Sequence, residues 1–459
     1  MSAASADKPV ARFLEGSLLR HVTVMSLTTS VGVIALFFVD FVDLLFISML
    51  GQAELAAAVG YAAVVLFFTT SVGIGVSIAA GALVARCLGE GDGEGARACA
   101  TQALVFGVLT ALVVSASVLA TLPFWLSLVG ASGETHRFAT QYLTIIVPSM
   151  PVLLLGMATG AIVRAYGDAR WAMYATLAGG LVNLVMDPIL IFGLGLELRG
   201  AAIATVLARA TVLGIALRVL LVRHRAFARF DLAGFRSRLP ALLAIAGPAM
   251  LTNVATPVGN GFVTRAMAEH GEAAVAGMAI VSRVAPMAFA VVYALSGAIG
   301  PIIGQNFGAR QHDRVRGAFL EGLRFAGLYV LAASALLFLV RAPLAALFDA
   351  EGVTRELLYW FCGPLALLFF FNAVIFVANA SFNNLGKPLY STWVNWGRNT
   401  LGTIPFVLVG SAVLGAPGVL VGQAAGGVLF AGVGVWGALR LMARQSRAGE
   451  VAAPAAASR

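Results

Sequence analysis

The chain has 459 residues, of which 60% are hydrophobic and only 11% are charged, and its net charge is +9. So apolar a composition excludes an ordinary soluble domain. The basic residues cluster between apolar segments, which favours membrane sidedness over nucleic-acid binding as the reason for the positive charge.

Apolar runs of about 20 residues, the length that a helix needs to cross a bilayer, recur along the whole chain. The sequence therefore predicts an all-α integral membrane protein with about twelve transmembrane helices. The spans predicted in the first half are residues 22–50, 57–85, 99–122, 139–165, 172–194 and 200–221. Those predicted in the second half are residues 241–268, 273–304, 317–340, 357–381, 390–414 and 417–440.

The loops between these spans alternate in charge. Arginines occupy one set of loops, including a basic segment after residue 222, whereas the other set carries glutamates such as Glu54 and Glu134. The positive-inside rule places both termini in the cytosol, in agreement with an even number of helices. We therefore predict a multi-pass protein of the cell membrane, the inner membrane of a bacterium, with cytosolic tails at residues 1–21 and 441–459.

The two halves of the chain resemble each other. Three segment pairs align at a nearly constant offset of roughly 219 residues, which indicates an internal duplication. The pairs are residues 81–97 with 300–316, 163–174 with 382–393, and 198–205 with 416–423. We predict a six-helix N-lobe at residues 22–222, a basic cytosolic linker at 223–240 and a six-helix C-lobe at 241–440.

Polar side chains interrupt the apolar spans at a shared depth. Asn183 and Asp187 are four residues apart on one helix face, and Asp187 lies roughly 10 Å before the external end of its helix. Asp43 lies roughly 10 Å from the external end of the first helix, and Thr205 lies roughly 8 Å inside the span that follows Asp187. Asp40 shares a face with Asp43, one turn deeper.

These residue types indicate cation chemistry. Two carboxylates in a low-dielectric site do not both stay ionised unless a proton or a cation lies between them. A hydroxyl and an amide oxygen beside them would complete an oxygen-lined sodium site, so Asp43, Asn183, Asp187 and Thr205 are candidate sodium ligands. The cluster predicts a coupling site for a proton or a sodium ion, and the sequence does not choose between the two ions.

Structural explanations stand beside this hypothesis. Asp187 precedes Pro188, and an acid in that position can simply occupy a helix break. Arg283 and Arg398 lie within predicted spans, where they either bind anions, face the cytosol or pair with carboxylates. Cys87, Cys99 and Cys362 have no spacing typical of a metal cluster or a disulfide framework, and we expect no cofactor. At the repeat offset, the positions near Asn260, Phe406 and Gln423 carry no acid, so we expect the chemistry in the first lobe only.

Four segments resemble motifs of the multidrug and toxic compound extrusion (MATE) family, in order over nearly the whole chain. They are "VDLLFISMLG", "NLVMDPILIFGLGLELRGAAIAT", "GQNFGARQHDRVRGA" and "NNLGKP". The resemblance implies that Asp43, Asn183, Asp187, Thr205 and the carbonyl group of Ala201 form the cation-binding centre of the N-lobe. It also implies that cation binding there reshapes the first helix and releases a compound from a central cleft.

The chain departs from the family pattern in three places. The proline of the first helix falls near Thr28 in this chain, which puts a proline-driven kink in doubt. Asp40 is an added acid where many members carry a neutral amide, and it is a candidate for the substrate cleft. Neutral amides stand where some branches have acids in the seventh and tenth helices, so we expect no second sodium site: Asn253, Asn260, Asn372 and Asn379.

Together these observations predict a transporter and not an enzyme. We interpret the chain as a monomeric secondary active exporter that uses alternating access to exchange protons or sodium for organic cations or amphipathic compounds. No Walker-type lysine loop indicates direct use of ATP. Two alternatives stay open at this point, a flippase for lipid-linked saccharides from the same superfamily and an integral membrane transferase.

Overall fold

The computed structural model describes the backbone of residues 11–457 and the side chains of residues 11–52 and 54–448. Parts of the two predicted tails, residues 1–10 and 458–459, lie outside the described residues. Within residues 11–457 the regular structure is entirely helical. An all-α fold is what a long apolar chain requires, because a helix satisfies its backbone hydrogen bonds internally in hydrocarbon.

Eight α-helices form the first half of the described chain. They are α1 (Leu18–Ser48), α2 (Ala53–Gly89), α3 (Gly93–Ala120), α4 (Leu122–Leu128), α5 (Gly133–Ile146), α6 (Met150–Ala165), α7 (Ala169–Pro188) and α8 (Glu197–Arg218). Nine more follow: α9 (Leu232–Ala268), α10 (Glu272–Ala288), α11 (Ala290–Gly308), α12 (His312–Leu347), α13 (Gly352–Trp360), α14 (Ala366–Asn384), α15 (Leu389–Asn399), α16 (Ile404–Leu414) and α17 (Ala416–Ala457).

Eleven helical segments within the described residues are long and apolar enough to cross a membrane. The remaining predicted span, residues 390–414, is present as α15 and α16, which a turn at residues 400–403 separates. Each of these two helices has only 11 residues, too few to cross a bilayer alone. The predicted fold class, about twelve transmembrane helices, is therefore confirmed. The predicted span at 273–304 is likewise divided, into α10 and α11, close after Pro286.

Several helices extend beyond the predicted spans, and α9 and α17 do so furthest. The sequence predicts a helix from residue 241, whereas α9 begins at Leu232, inside the predicted linker. The Asp231 carboxylate accepts hydrogen bonds from the backbone N–H groups of Ala233 and Gly234, at 3.1 and 2.8 Å, and so caps the helix earlier. The last helix, α17, continues past the predicted end at residue 440 to Ala457.

Contacts between residues group the described chain into two units. The first unit contains residues 11–12 and 31–250, and the second contains residues 13–30 and 251–457. In the first unit α2 packs along α6 and α3, and α7 packs along α8. In the second unit α16 packs along α17, and α14 packs along α11 and α12. The predicted lobe boundaries at residues 222 and 241 stay a prediction.

Glycines let α17 and α16 approach each other closely in the second unit. Three glycines, spaced four residues apart on one face of α17, lie against the backbone of α16 and the turn before it: Gly418, Gly422 and Gly426. A Cβ atom at any of them would overlap a backbone carbonyl group. Small residues at this spacing are typical of helix pairs in membranes, where close packing replaces the hydrophobic effect.

Candidate functional site

The predicted acid of the seventh helix lies where the helix changes geometry. Asp187 is the last residue but one of α7, and a π-helical segment, Ile189–Gly193, follows Pro188. Proline has no N–H to donate, which favours such a local rearrangement. Gly200 of α8 packs directly on this segment, because a Cβ atom there would lie 2.7 Å from the carbonyl carbon of Leu190. The absence of a side chain at this glycine therefore lets α8 support the segment beside the acid.

One amide group connects two of the predicted acids. The Nδ2 atom of Asn183 donates to Oδ2 of Asp187 at 2.8 Å and to Oδ1 of Asp43 at 3.2 Å. Asp187 is fully buried (0% exposed), Asn183 is buried and Asp43 is half-buried. Because Asp43 lies on α1 and Asp187 on α7, this amide connects the two helices within the first unit.

The buried acid retains an unsatisfied oxygen atom. Among the described residues, Oδ1 of Asp187 has no hydrogen-bond partner. A buried polar atom without a partner costs about 1–3 kcal/mol, and more if the group is charged. A proton on this carboxyl or a cation beside it would remove that cost, so the arrangement fits the binding of a small cation.

The other three predicted residues, Ala201, Thr205 and Asp40, form no hydrogen bond with the two acids among the described residues. The Thr205 hydroxyl donates to the carbonyl oxygen of Ala201 at 3.0 Å, one turn earlier on α8. No hydrogen bond in the described part of the chain joins either residue to Asp43 or Asp187. Asp40 is exposed, one turn from Asp43 on α1.

The sequence did not predict a role for Tyr142, which lies near the acids, or for Arg209, which lies near Tyr142. Tyr142 of α5 is buried, close enough to Asp43, Asp187 and Arg209 to interact electrostatically with all three. Arg209 of α8 donates through Nη1 to the Ser149 hydroxyl at 2.8 Å. Arg209 could have been identified from the sequence because it is an arginine inside a predicted span. A tyrosine in an apolar helix is not unusual, so nothing in the sequence selected Tyr142. Tyr142 thus has both the acids and an arginine within electrostatic range.

The second unit contains a neutral counterpart of this cluster. The internal repeat pairs Asp43 with the vicinity of Asn260 and Thr205 with the vicinity of Gln423. In the structure Nε2 of Gln423 donates to Oδ1 of Asn260 at 3.4 Å. The described counterpart is a pair of uncharged amides in direct contact, whereas Asp43 and Thr205 of the first unit make no hydrogen bond with each other.

A cationic side chain lies within electrostatic range of a tyrosine in the second unit. Arg398 of α15 is half-buried and donates through Nη2 to the amide oxygen of Asn372. It forms no ion pair with any described carboxylate, so carboxylate pairing, one of the predicted alternatives, is absent from this part of the chain. Tyr293 lies within electrostatic range of Arg398, and its ring centroid is 6.1 Å from that of Phe369. Arg283 is exposed.

A separate ionic cluster lies at the end of the first unit that is predicted to face the cytosol. Asp168 contacts Arg223 at 2.9 Å, His224 at 3.0 Å and Arg12 at 3.6 Å. Tyr166 stacks on the imidazole ring with a centroid distance of 4.7 Å. Burial lowers the pKa of His224, and the opposing effect of Asp168 does not reverse that direction.

Comparison with known proteins gives one family. The model of the MatE family matches residues 29–189 and again residues 248–409. The two matches begin at the separation that the internal repeat predicts. The chain therefore contains two copies of the unit that defines this family.

Individual relatives agree with this match over most of their length. A FAD transporter of Shewanella oneidensis is 31% identical over 410 residues, which cover 86% of this chain and 89% of that protein. The multidrug export protein MepA of Staphylococcus aureus is 22% identical over 419 residues, covering 90% of this chain and 92% of that protein. The solved structure of a mutant MATE transporter of Vibrio cholerae superposes with a TM-score of 0.87 at 24% identity, covering 94% of this chain and 97% of that one.

Proposed function

The chain belongs to the MatE family of multidrug and toxic compound extrusion transporters, and from this membership we propose that it couples the export of a small molecule to the entry of a cation. Members of the family are membrane transporters and not enzymes. Our proposal places the protein in the cell membrane, with both termini in the cytosol, as a monomer that works by alternating access.

The observation that carries the proposal is the amide-bridged pair of acids. Oδ1 of Asp187 has no hydrogen-bond partner among the described residues, so a cation can bind there. Its binding reduces the total negative charge of Asp187 and Asp43, the two carboxyl groups to which Asn183 donates. Since the two acids lie on α7 and α1, binding and release of the cation change the attraction between these helices. Such a change in a packed pair of helices is the kind of two-state element that coupled transport requires.

The hydrogen bonds of Asn183 favour the proton over sodium as the coupling ion. With Nδ2 donated to both carboxyls, the amide oxygen is not available to a cation that lies between them. The Thr205 hydroxyl is likewise directed at Ala201. A sodium ion needs several oxygen ligands, whereas a proton needs only one carboxyl oxygen and an acceptor.

Two substrate classes have support. Organic cations and amphipathic compounds are favoured by the exposed Asp40 carboxylate and by the similarity to MepA, which is named a multidrug export protein. Flat aromatic anions are favoured by Arg398, which has no carboxylate partner in the described chain and lies beside Tyr293, and by the similarity to a FAD transporter. An arginine with a tyrosine in its vicinity suits a ligand that combines phosphate with a ring system.

Transport into or out of liposomes tests the coupling site. Purified protein, in liposomes loaded with a fluorescent organic cation or with FAD, is given an inward gradient of protons or of sodium. We expect the proton gradient to drive efflux, and Asp187→Asn and Asp43→Asn to abolish it. Glu54→Gln, an exposed acid at the start of α2, is the matched control and should transport normally. Normal transport by both aspartate variants, or efflux that neither gradient accelerates, contradicts the proposal.

The same liposomes separate the two substrate classes. If the anionic class is correct, Arg398→Gln abolishes FAD efflux, and Arg283→Gln, an exposed arginine of α10, does not. If the cationic class is correct, Asp40→Asn lowers efflux of the organic cation, and FAD is not transported by the unaltered protein.

A further inference from the structure

A cavity that the coupling site does not use lies at one end of the second unit. It has a volume of about 320 Å³, is open on one side and is lined by residues of α14, α15 and α17. Its wall combines apolar side chains, such as Val394 and Val433, with the indole rings of Trp393 and Trp436. The arginines that line it are Arg440 and Arg444.

The charges of this cavity have one sign. Arg440 and Arg444 are four residues apart on α17, hence on one face of the helix. Both are exposed, and neither forms an ion pair with a described carboxylate. The Arg440 guanidinium lies 5.0 Å from the centroid of the Trp436 ring. The cavity lining includes no acidic residue, so the positive charges of Arg440 and Arg444 can be neutralised by a bound anion.

The position of the cavity along the helices matches a membrane–water boundary. Trp393 is 76% exposed and Trp436 is 61% exposed. Exposed tryptophans are enriched at the level of lipid headgroups. On α17 the apolar sequence gives way to Arg440, Arg444 and Arg447 within two turns, on the side predicted to be cytosolic. The apolar wall of the cavity therefore faces hydrocarbon, and its arginines lie at headgroup depth.

We propose that this cavity binds an anionic phospholipid. Its phosphate accepts hydrogen bonds from the guanidinium groups of Arg440 and Arg444, which suit phosphate geometry. The first methylene groups of an acyl chain cover Val433, an exposed side chain of the cavity wall that a small soluble anion would leave exposed. A lipid in this place contacts α15 and α17 together, and basic pockets on the cytosolic side of membrane proteins are suited to such lipids.

Native mass spectrometry of the full-length protein in detergent, titrated with phosphatidylglycerol or phosphatidylcholine, tests this site. We expect phosphatidylglycerol to be retained in preference to phosphatidylcholine. Each arginine at a membrane surface strengthens the binding of an anionic lipid by about fivefold, so the double variant Arg440→Gln/Arg444→Gln should bind phosphatidylglycerol about 30-fold more weakly. Arg447→Gln, an exposed arginine of the same helix, is the matched control; because Arg447 does not line the cavity, this change should weaken binding less than the change of either cavity arginine alone.

Three results would overturn the proposal. The first is equal retention of the two lipids, and the second is equal weakening by the control variant, which would indicate general attraction to the surface. The third is displacement of bound phosphatidylglycerol by glycerol phosphate at equal concentration, which would indicate a site for soluble anions. Because the substituted side chains are exposed, melting temperature and size-exclusion behaviour should match the unaltered protein. None of these outcomes bears on proton-driven efflux, so the site and the transport function are tested separately.

Discussion

Replacing Gly200 by alanine should disturb the acid site without touching an acid. A Cβ atom at this position would lie 2.7 Å from the carbonyl carbon of Leu190, and 2.8 Å from its oxygen and from the nitrogen of Ile191. Ordinary van der Waals contact begins at 3.4 Å. All three neighbours are backbone atoms, so no side-chain rotation relieves the overlap, and either α8 or the π-helical segment has to move.

The magnitude follows from this geometry. Adding a methyl group to a packed interior costs about 1–3 kcal/mol, and the upper half of that range applies when only backbone can yield. The movement reaches Asp187, which is separated from the segment by Pro188 alone. Its 2.8 Å hydrogen bond with Asn183 then lengthens toward the limit at which such bonds lose strength.

The assay combines the melting temperature in detergent with the initial rate of proton-driven efflux from liposomes. We expect Gly200→Ala to lower both. Gly214→Ala is the matched control on the same helix, since a Cβ atom there meets nothing within 4 Å. Alanine is the better helix former by about 1 kcal/mol, so the control should melt at the same or a higher temperature. If the two variants melt and transport alike, the close approach of α8 does not position the acid.

Two further outcomes concern stability. As pH falls below about 6.5, His224 becomes protonated in the unfolded chain, whereas in the folded protein it stays neutral because burial lowers its pKa. The free energy of unfolding should therefore decrease as the pH falls, until the pH is below the pKa of the folded state. His224→Gln should remove that part of the acid slope in melting curves at pH 7.5 and 5.5, and an unchanged slope would contradict it. Gly426→Ala should cost about 3 kcal/mol, because its Cβ atom would overlap the carbonyl of Gly402. It should melt well below Gly432→Ala, whose Cβ atom has free space, and equal melting would refute the tight contact.

The fold could be predicted largely because hydrocarbon thickness sets the length of each apolar run. That argument locates the spans but does not predict how far a helix continues outside the bilayer. The Asp231 cap, for example, starts α9 before the predicted span. It is also insensitive to breaks inside an apolar run. The run at 390–414 is apolar enough for one helix, yet the turn at residues 400–403 divides it.

The contact among Asn183, Asp187 and Asp43 could be predicted because helix rise converts sequence position into depth. Helix rise does not give the rotation of a helix about its own axis. It therefore could not predict the partner of Thr205, whose hydroxyl donates to a carbonyl oxygen of its own helix. The spacing of the cysteines in the sequence likewise did not predict that the sulfur atoms of Cys87 and Cys99 lie 3.5 Å apart, across the hairpin of α2 and α3. Contacts between helices that pack at unknown rotation need the structure.

The asymmetry between the units bears on the charge moved in each transport cycle. The described chain offers one acid pair for a cation, because the counterpart near Asn260 and Gln423 is neutral. With one proton entering per cycle, export of a singly charged cation is electroneutral and insensitive to membrane potential. Export of a dianion against one proton instead carries three positive charges inward, and each is driven by about 2.3 kcal/mol per 100 mV. The response of efflux to an imposed potential therefore separates the Asp40 and Arg398 hypotheses without any substitution.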